Sequence, residues 1–432
     1  MGAPTHDEEV TMLRSTLSTT LAVAVAAGAS CLAATSAPAS APTKPPVLTS
    51  TQTPPPPLPP SVTTPETIDL DLFARGLVGR LNGHVVGFSY AIARNGAVVR
   101  SGGGGFRRLH QDGGEARFTA DTMAQAASAS KTITAAALIK ALDERGLSVD
   151  TKIDKYLPRC WKKGPSVRGL TFRDLLGHHS LLPQGTNCSD DPLACILAIV
   201  AKGHPALRDK DGEVRYEYNN TVYGLMRVLL PFVRARIEMQ LAFGFSRSYC
   251  SSHTDELNEI VSTRFRDYVF QHVLGPVGVQ ASFYPQGDGV EDYALNYNNA
   301  DRSQPGSGPR EDFYLHAGAG YLAISAKAYA RFLSALDAGL IVRKALANAM
   351  KGVPGDRMGF DTSITGELGE YVWKNGGCPS SNGTKPGCST LAVVFPNGMQ
   401  AYVAINSSNN TYKPLYGGLD EVVRDAFDEA LK

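Results

Sequence analysis

Two stretches of period-two alternation, one near each end of the chain, constrain the fold more than anything between them. Val85 to Arg94 and Ala97 to Ser101 read as strands and meet at Asn95-Gly96, a two-residue turn that closes a hairpin. Ser389 to Phe395 and Met399 to Asn406 repeat the arrangement about Asn397-Gly398. Between them, from Ser128 to about Ala335, helical patterns and loops dominate, and a helix from Leu419 to Leu431 closes the chain. Strands at both ends with helices between them imply a mixed α/β (α+β) fold. An antiparallel sheet is built from both chain ends and flanked by helices, with a mainly helical insertion at about residues 140–310. The run Gly102-Gly103-Gly104-Gly105 lacks the helix and the Lys-Ser/Thr pair of a phosphate loop, so it reads as a flexible turn or bulge beside the sheet.

The 432 residues suffice for a full core, and 42 basic against 41 acidic residues give no charge excess of the kind that nucleic acid or an anionic membrane surface attracts. Three segments are expected: an N-terminal extension and signal peptide over residues 1–41, a Pro/Thr/Ser-rich linker over 42–66, and one globular domain over 67–432. Arg14 precedes an apolar, Ala-rich stretch from Leu17 to Ala34, and small residues follow at Ala37, Ala39 and Ala41, which favours a cleaved export signal over a membrane anchor. The acidic Asp7, Glu8 and Glu9 fit such a signal badly and point to Met12 as the start, while Ser30-Cys31 offers lipoprotein anchoring as an alternative. Pro54-Pro55-Pro56-Pro57 and Pro59-Pro60 mark an extended spacer. An exported chain, periplasmic or extracellular, with Cys160, Cys188, Cys195, Cys250, Cys378 and Cys388 suggests disulfides. Short loops favour Cys188 with Cys195 and Cys378 with Cys388, leaving Cys160 with Cys250; with no C-x-x-C pair, a zinc site is disfavoured.

Ser128-Ala129-Ser130-Lys131 places a hydroxyl and an amine one helical turn apart, before the Ala- and Leu-rich run Thr132 to Leu142. A serine is a poor nucleophile until a base takes its proton, and a lysine serves if burial lowers its pKa enough to populate the neutral amine. By itself the tetrapeptide is weak evidence and better describes a capped helix with a solvated lysine.

The surrounding segments decide between these. In order along the chain, Ala127-Ser128-Ala129-Ser130-Lys131-Thr132, Gly146-Leu147-Ser148-Val149-Asp150, Leu170-Thr171-Phe172-Arg173-Asp174-Leu175-Leu176-Gly177-His178-His179-Ser180 and Tyr216-Glu217-Tyr218-Asn219-Asn220-Thr221 resemble the serine β-lactamase and penicillin-binding group. The likeness is to its branch of class C β-lactamases, D-Ala-D-Ala carboxypeptidases and related esterases, and it runs from about Asp69 to the C-terminus. Leu181 stands where the family's pattern has glycine. The resemblance implies a β-lactamase/transpeptidase-like fold, with Ser128, Lys131 and Tyr218 catalytic and Asn220 binding substrate. It places Lys374, Asn375 and Gly376 on the edge strand beside the nucleophile as further substrate-binding residues, and the backbone N–H groups of Ser128 and Gly377 as the oxyanion site. Two readings stay open locally. Asn219-Asn220 also suits a helix cap, and Lys374-Asn375-Gly376 also suits a two-residue hairpin turn with a solvated lysine.

No G-x-S-x-G elbow, H-E-x-x-H or dinucleotide glycine motif competes, and His178, His179 and His316 are not needed as bases. The expected function is an exported serine hydrolase acting through an acyl-enzyme on a carboxylate-bearing amide or lactam, with a carboxylesterase or a non-catalytic penicillin-binding-type module as alternatives. No metal or organic cofactor and no nucleic acid are implied. The expected partner is a small-molecule or peptide substrate, with the protein a monomer that could associate with the cell wall.

Overall fold

In the computed structural model, residues 68–180, 182–184, 192–204, 215–283, 293–308, 316–352, 357–378 and 385–431 are described. The expected signal segment, the Pro-rich linker, Cys31, Leu181 and Cys188 lie outside them.

The sheet is built as the alternation predicts. From the N-terminal side come β1 (Gly87–Arg94), β2 (Ala97–Arg108) and β3 (Ala116–Arg117). The C-terminal side supplies β4 (Thr362–Gly366), β5 (Gly369–Cys378), β6 (Cys388–Val394) and β7 (Met399–Ile405). They form one antiparallel sheet in the order β3-β2-β1-β7-β6-β5-β4, so the two chain ends join where Phe88 pairs with Ile405 and Arg94 with Met399. Strand β2 runs past Ser101 through the whole glycine run, which correctly excludes a phosphate loop but places these glycines in the sheet rather than beside it. At Gly105, φ is +67° and a Cβ would stand 2.2 Å from the Val86 carbonyl oxygen, so only glycine lets β2 bend that close to its neighbour.

The central strands are buried on both faces. Along β7, Ala401, Val403 and Ile405 join one apolar cluster while Tyr402 and Ala404 join the other. The first cluster lies under helix α1 (Leu70–Leu81) and the C-terminal helix, which ends at Asp428 rather than Leu431. Phe73, Tyr371, Phe395 and Phe427 meet there, with the rings of Phe395 and Phe427 stacked 3.8 Å apart. Asp69 caps α1 by accepting from the N–H groups of Asp71 and Leu72.

The other face carries the helices. Alanines at 91, 93, 392 and 404 leave room for close packing of the helix at Ala326–Asp337 (α5), while α2 (Ser130–Glu144), α3 (Asn220–Arg234) and α4 (Thr254–Tyr268) pack together in the same cluster. Helix α2 is buried without a break from Ser130 to Ile139, polar Ser130, Lys131, Thr132 and Thr134 included, the pattern of a central helix rather than a surface one. Disulfides join Cys160 to Cys250 and Cys378 to Cys388, two of the three expected pairs; Cys195 is also disulfide-bonded, while its expected partner lies outside the described residues.

Candidate active site

Ser128 sits on a 3-10 turn, Ala127–Ala129, that leads directly into α2. Ala127 has φ +48°, a left-handed conformation that costs an alanine about 1–2 kcal/mol and must be held by its surroundings. Side-chain hydroxyls hold it. Thr390 donates to the Ala126 carbonyl at 2.9 Å, Ser130 to that of Ala127 at 2.7 Å, and Tyr329 to that of Ala129 at 2.7 Å. Gly376 presses on the same turn; a Cβ there would stand 2.6 Å from the Ala126 carbonyl oxygen and 2.3 Å from Thr390 Oγ1.

The i, i+3 spacing delivers Lys131 Nζ to 3.1 Å from Ser128 Oγ. Nζ also lies 2.8 Å from Asn220 Oδ1 and 2.5 Å from the Ala319 carbonyl oxygen. These two partners can only accept. An ammonium would direct its third N–H at the serine, whereas a neutral amine gives its two N–H groups to the obligate acceptors and aims its lone pair at the Ser128 hydroxyl. Burial favours the second state. Lys131 is wholly buried, and desolvation, reinforced by the Lys374 cation and opposed by Asp361, holds its pKa well below the ordinary lysine value. Ala319 belongs to the Gly318-Ala319-Gly320 turn, where Gly318 adopts φ +106°.

Tyr218 donates its hydroxyl to Ser128 Oγ at 2.8 Å. Burial raises its pKa well above the ordinary phenol value, only partly offset by the Ser128 bond, so the phenol keeps its proton. Asn219 caps α3 by accepting from the Thr221 N–H, and Asn220 is the first residue of that helix; the cap and the site are neighbouring residues of one motif. His178 holds this segment from beneath. Its Nδ1 accepts from the Asn219 N–H at 3.1 Å, its carbonyl accepts from the Glu217 N–H at 2.8 Å, and its ring lies 4.7 Å from that of Tyr218. Burial, with the Lys131, Lys374 and His179 charges adding to it, lowers the His178 pKa to about 3 and leaves a neutral ring.

Strand β5 carries the remaining predicted residues and resolves the local ambiguity there. It continues unbroken from Lys374 to Cys378, with Lys374 opposite Ala392, Gly376 opposite Thr390 and Gly377 opposite Ser389, so Asn375-Gly376 is strand and not a hairpin turn. Pairing with β4 ends at Trp373, which leaves the edge beyond it beside the turn that carries Ser128. Nor is Lys374 solvated: it is 1% exposed. Its Nζ donates to Asp361 Oδ2 at 2.7 Å and to the Asn375 carbonyl at 2.8 Å, so a free ammonium awaiting a substrate carboxylate is not what this geometry provides. Ser128, Tyr216, Tyr218, Asn220, Asp361, Trp373, Asn375, Gly377 and Cys378 line one open cleft of about 570 Å³.

Asp361, Tyr216, His178 and the Ala319 carbonyl were not singled out as site groups by the sequence. His178 and Tyr216 do fall in segments that were, whereas Asp361 lies in no recognisable pattern. The His316 ring lies 5.5 Å from that of Tyr321, tilted by 53°. Among the described residues no His/Cys/Asp/Glu cluster could hold a metal ion, and no helix is long and apolar enough to cross a membrane.

Residues 71–236 match the Beta-lactamase family model. No curated protein matches the sequence. Among solved structures, FmtA from Staphylococcus aureus is 18% identical with a TM-score of 0.58, covering 83% of this chain and 88% of its own. A D-amino acid amidase from Ochrobactrum anthropi gives 18% and 0.58 over 83% and 98%, and a class C beta lactamase from Rhodobacter sphaeroides 16% and 0.56 over 82% and 98%. At these identities the likeness is one of fold.

Proposed function

We propose that this chain, which matches the Beta-lactamase family model over residues 71–236 and shares the fold of a class C beta lactamase, is a serine hydrolase that works through an acyl-enzyme on Ser128. The observation that carries the reading is the environment of Lys131 Nζ, whose two obligate acceptors leave only a lone pair for the Ser128 hydroxyl when the amine is neutral. Lys131 takes the Ser128 proton as Oγ attacks a carbonyl carbon. Negative charge then develops on the carbonyl oxygen, and the N–H groups of Ser128 and Gly377, which share the cleft wall, are the donors assigned to it. As the tetrahedral species collapses, Tyr218 gives its hydroxyl proton to the leaving group and the adjacent Lys131 ammonium replaces it, restoring the phenol and the neutral amine. Water reverses the sequence, giving its proton to Lys131, attacking the acyl carbon and returning Ser128. Asn220, with one amide oxygen on Lys131, has its NH₂ group left to orient the substrate carbonyl.

Export belongs to the same reading. The two disulfides fit an oxidising compartment, and the Leu17–Ala34 stretch supplies the signal. The substrate is a small acyl donor: lactam, amide or ester.

The test is rapid-mixing hydrolysis of three chromogenic substrates, a cephalosporin, an acyl-D-Ala-D-Ala thiolester analogue and a p-nitrophenyl ester. At least one should give a burst equal to the enzyme concentration followed by slower turnover, and Ser128→Ala should abolish both phases. Turnover that survives in Ser128→Ala contradicts the proposal.

A further inference from the structure

A lysine on the edge strand beside an acyl-transfer nucleophile can hold a substrate carboxylate only if its ammonium has an N–H to offer. In this cleft Lys374 has none. Its three N–H groups meet three acceptors, Asp361 Oδ2 at 2.7 Å, the Asn375 carbonyl at 2.8 Å and Asn375 Oδ1 at 3.4 Å, and the side chain is 1% exposed. Asp361 is held in turn through Oδ2, which also accepts the Asn375 backbone N–H at 3.2 Å, while its Oδ1 is buried without a hydrogen-bond partner. Asp361 also lines the cleft wall whereas Lys374 does not, so the cation sits behind its partner and away from a substrate arriving from solvent. The pair is neutral as a unit, and the Asp361 side chain is only 12% exposed, so neither charge is offered to the substrate.

We infer that Asp361 sets the substrate class of this site: by holding the Lys374 ammonium in an ion pair it withdraws the cation that would bind a carboxylate and directs the cleft to acyl donors with no carboxylate beside the scissile bond. The inference rests on the serine-hydrolase reading and narrows it to neutral esters and amides. Asp361 acts here through Lys374, not on the reacting atoms. An unpaired ammonium at the same place would favour the carboxylate-bearing substrate by about ten- to a hundred-fold, the usual effect of one charge-assisted hydrogen bond.

The experiment compares hippuryl thioglycolate, which carries a carboxylate on the leaving side, with its methyl ester, on wild type, Asp361→Asn and Asp361→Asn/Lys374→Gln. The asparagine keeps the volume and an acceptor for the Asn375 N–H while releasing the lysine charge. Wild type should prefer the methyl ester. In Asp361→Asn the ratio of kcat/KM, carboxylate to methyl ester, should rise about ten- to a hundred-fold, and the double variant should lose that gain. A change in both rates by one common factor would mean a structural role only and overturn the inference. So would a wild type that already prefers the carboxylate by tenfold or more, a comparison that needs no variant to fold. Absence of any Ser128-dependent turnover by wild type removes the hydrolase reading and this inference with it, whereas turnover with an unmoved ratio removes the inference alone.

Discussion

Asn220→Asp isolates the proton path with little change in shape. The new carboxylate can still accept from Lys131 Nζ at the 2.8 Å of the native contact, but it brings a full negative charge to that distance. At an effective dielectric constant of about 20, two unit charges so placed attract by about 6 kcal/mol, equivalent to about four pKa units. Asn220 is exposed, so screening reduces this, and a rise of about one to four units in the Lys131 pKa is expected. The sign follows from which form is stabilised: a neighbouring anion favours the ammonium, so the neutral amine is populated only at higher pH. The acid limb of kcat/KM should therefore move to higher pH by that amount, with a loss of about tenfold per unit at a pH on the limb and recovery toward a plateau in alkali. Loss of the amide NH₂ also lowers the plateau, which is why the position of the limb and not the rate at one pH is the readout. Rates of fluorophosphonate labelling from pH 5 to 10 supply the profile. An acid limb in the same place as in wild type would refute the assignment of Lys131 as the group that must be neutral.

Three further outcomes are expected. His178, lowered from 6.5 to about 3, is a base that the unfolded chain protonates before the folded one does, so its stabilisation is complete above pH 6.5 and is lost as pH falls toward 3. Between pH 7 and 5 this single group accounts for about 2 kcal/mol, and urea unfolding of His178→Asn should show a pH dependence smaller by that amount; an equal dependence in both proteins would contradict it. Gly376→Ala should destabilise by about 1–3 kcal/mol and abolish labelling, because its Cβ would stand 2.3 Å from Thr390 Oγ1, whereas Gly79→Ala on α1, with nothing within 4 Å, should raise the melting temperature. Non-reducing peptide maps should recover Cys160 with Cys250 and Cys378 with Cys388, and should join Cys195 to Cys188; a map joining Cys195 elsewhere would overturn that last pair.

The sheet was legible because its hairpins carry both signals a strand pair can carry, alternation and an Asn-Gly turn. Yet the alternation meant something different from half-burial. In β7 every residue is buried, and successive positions serve two different apolar clusters, so what alternates is the cluster each residue joins rather than apolar with polar. Ser128 and Lys131 could be paired from spacing alone, since helical geometry fixes the reach between i and i+3. Asn375-Gly376 could not be settled in the same way: the dipeptide suits a turn equally well, and only its pairing with Leu391 and Thr390 makes it strand. Asp361 left no trace because its role depends on where β5 loses its neighbour, a property of register and not of any local pattern. The Ala319 carbonyl is likewise invisible, since a main-chain acceptor has no side-chain signature.

Everything proposed for this cleft depends on Ser128 being the atom that bonds to substrate. Reaction of the intact protein with a fluorophosphonate, followed by intact mass and peptide mapping, measures that directly. The expected result is one adduct per chain on Ser128, absent from Ser128→Ala although that variant melts at nearly the wild-type temperature. An adduct on Ser130, whose hydroxyl is committed to the Ala127 carbonyl, or full labelling of Ser128→Ala, would contradict it.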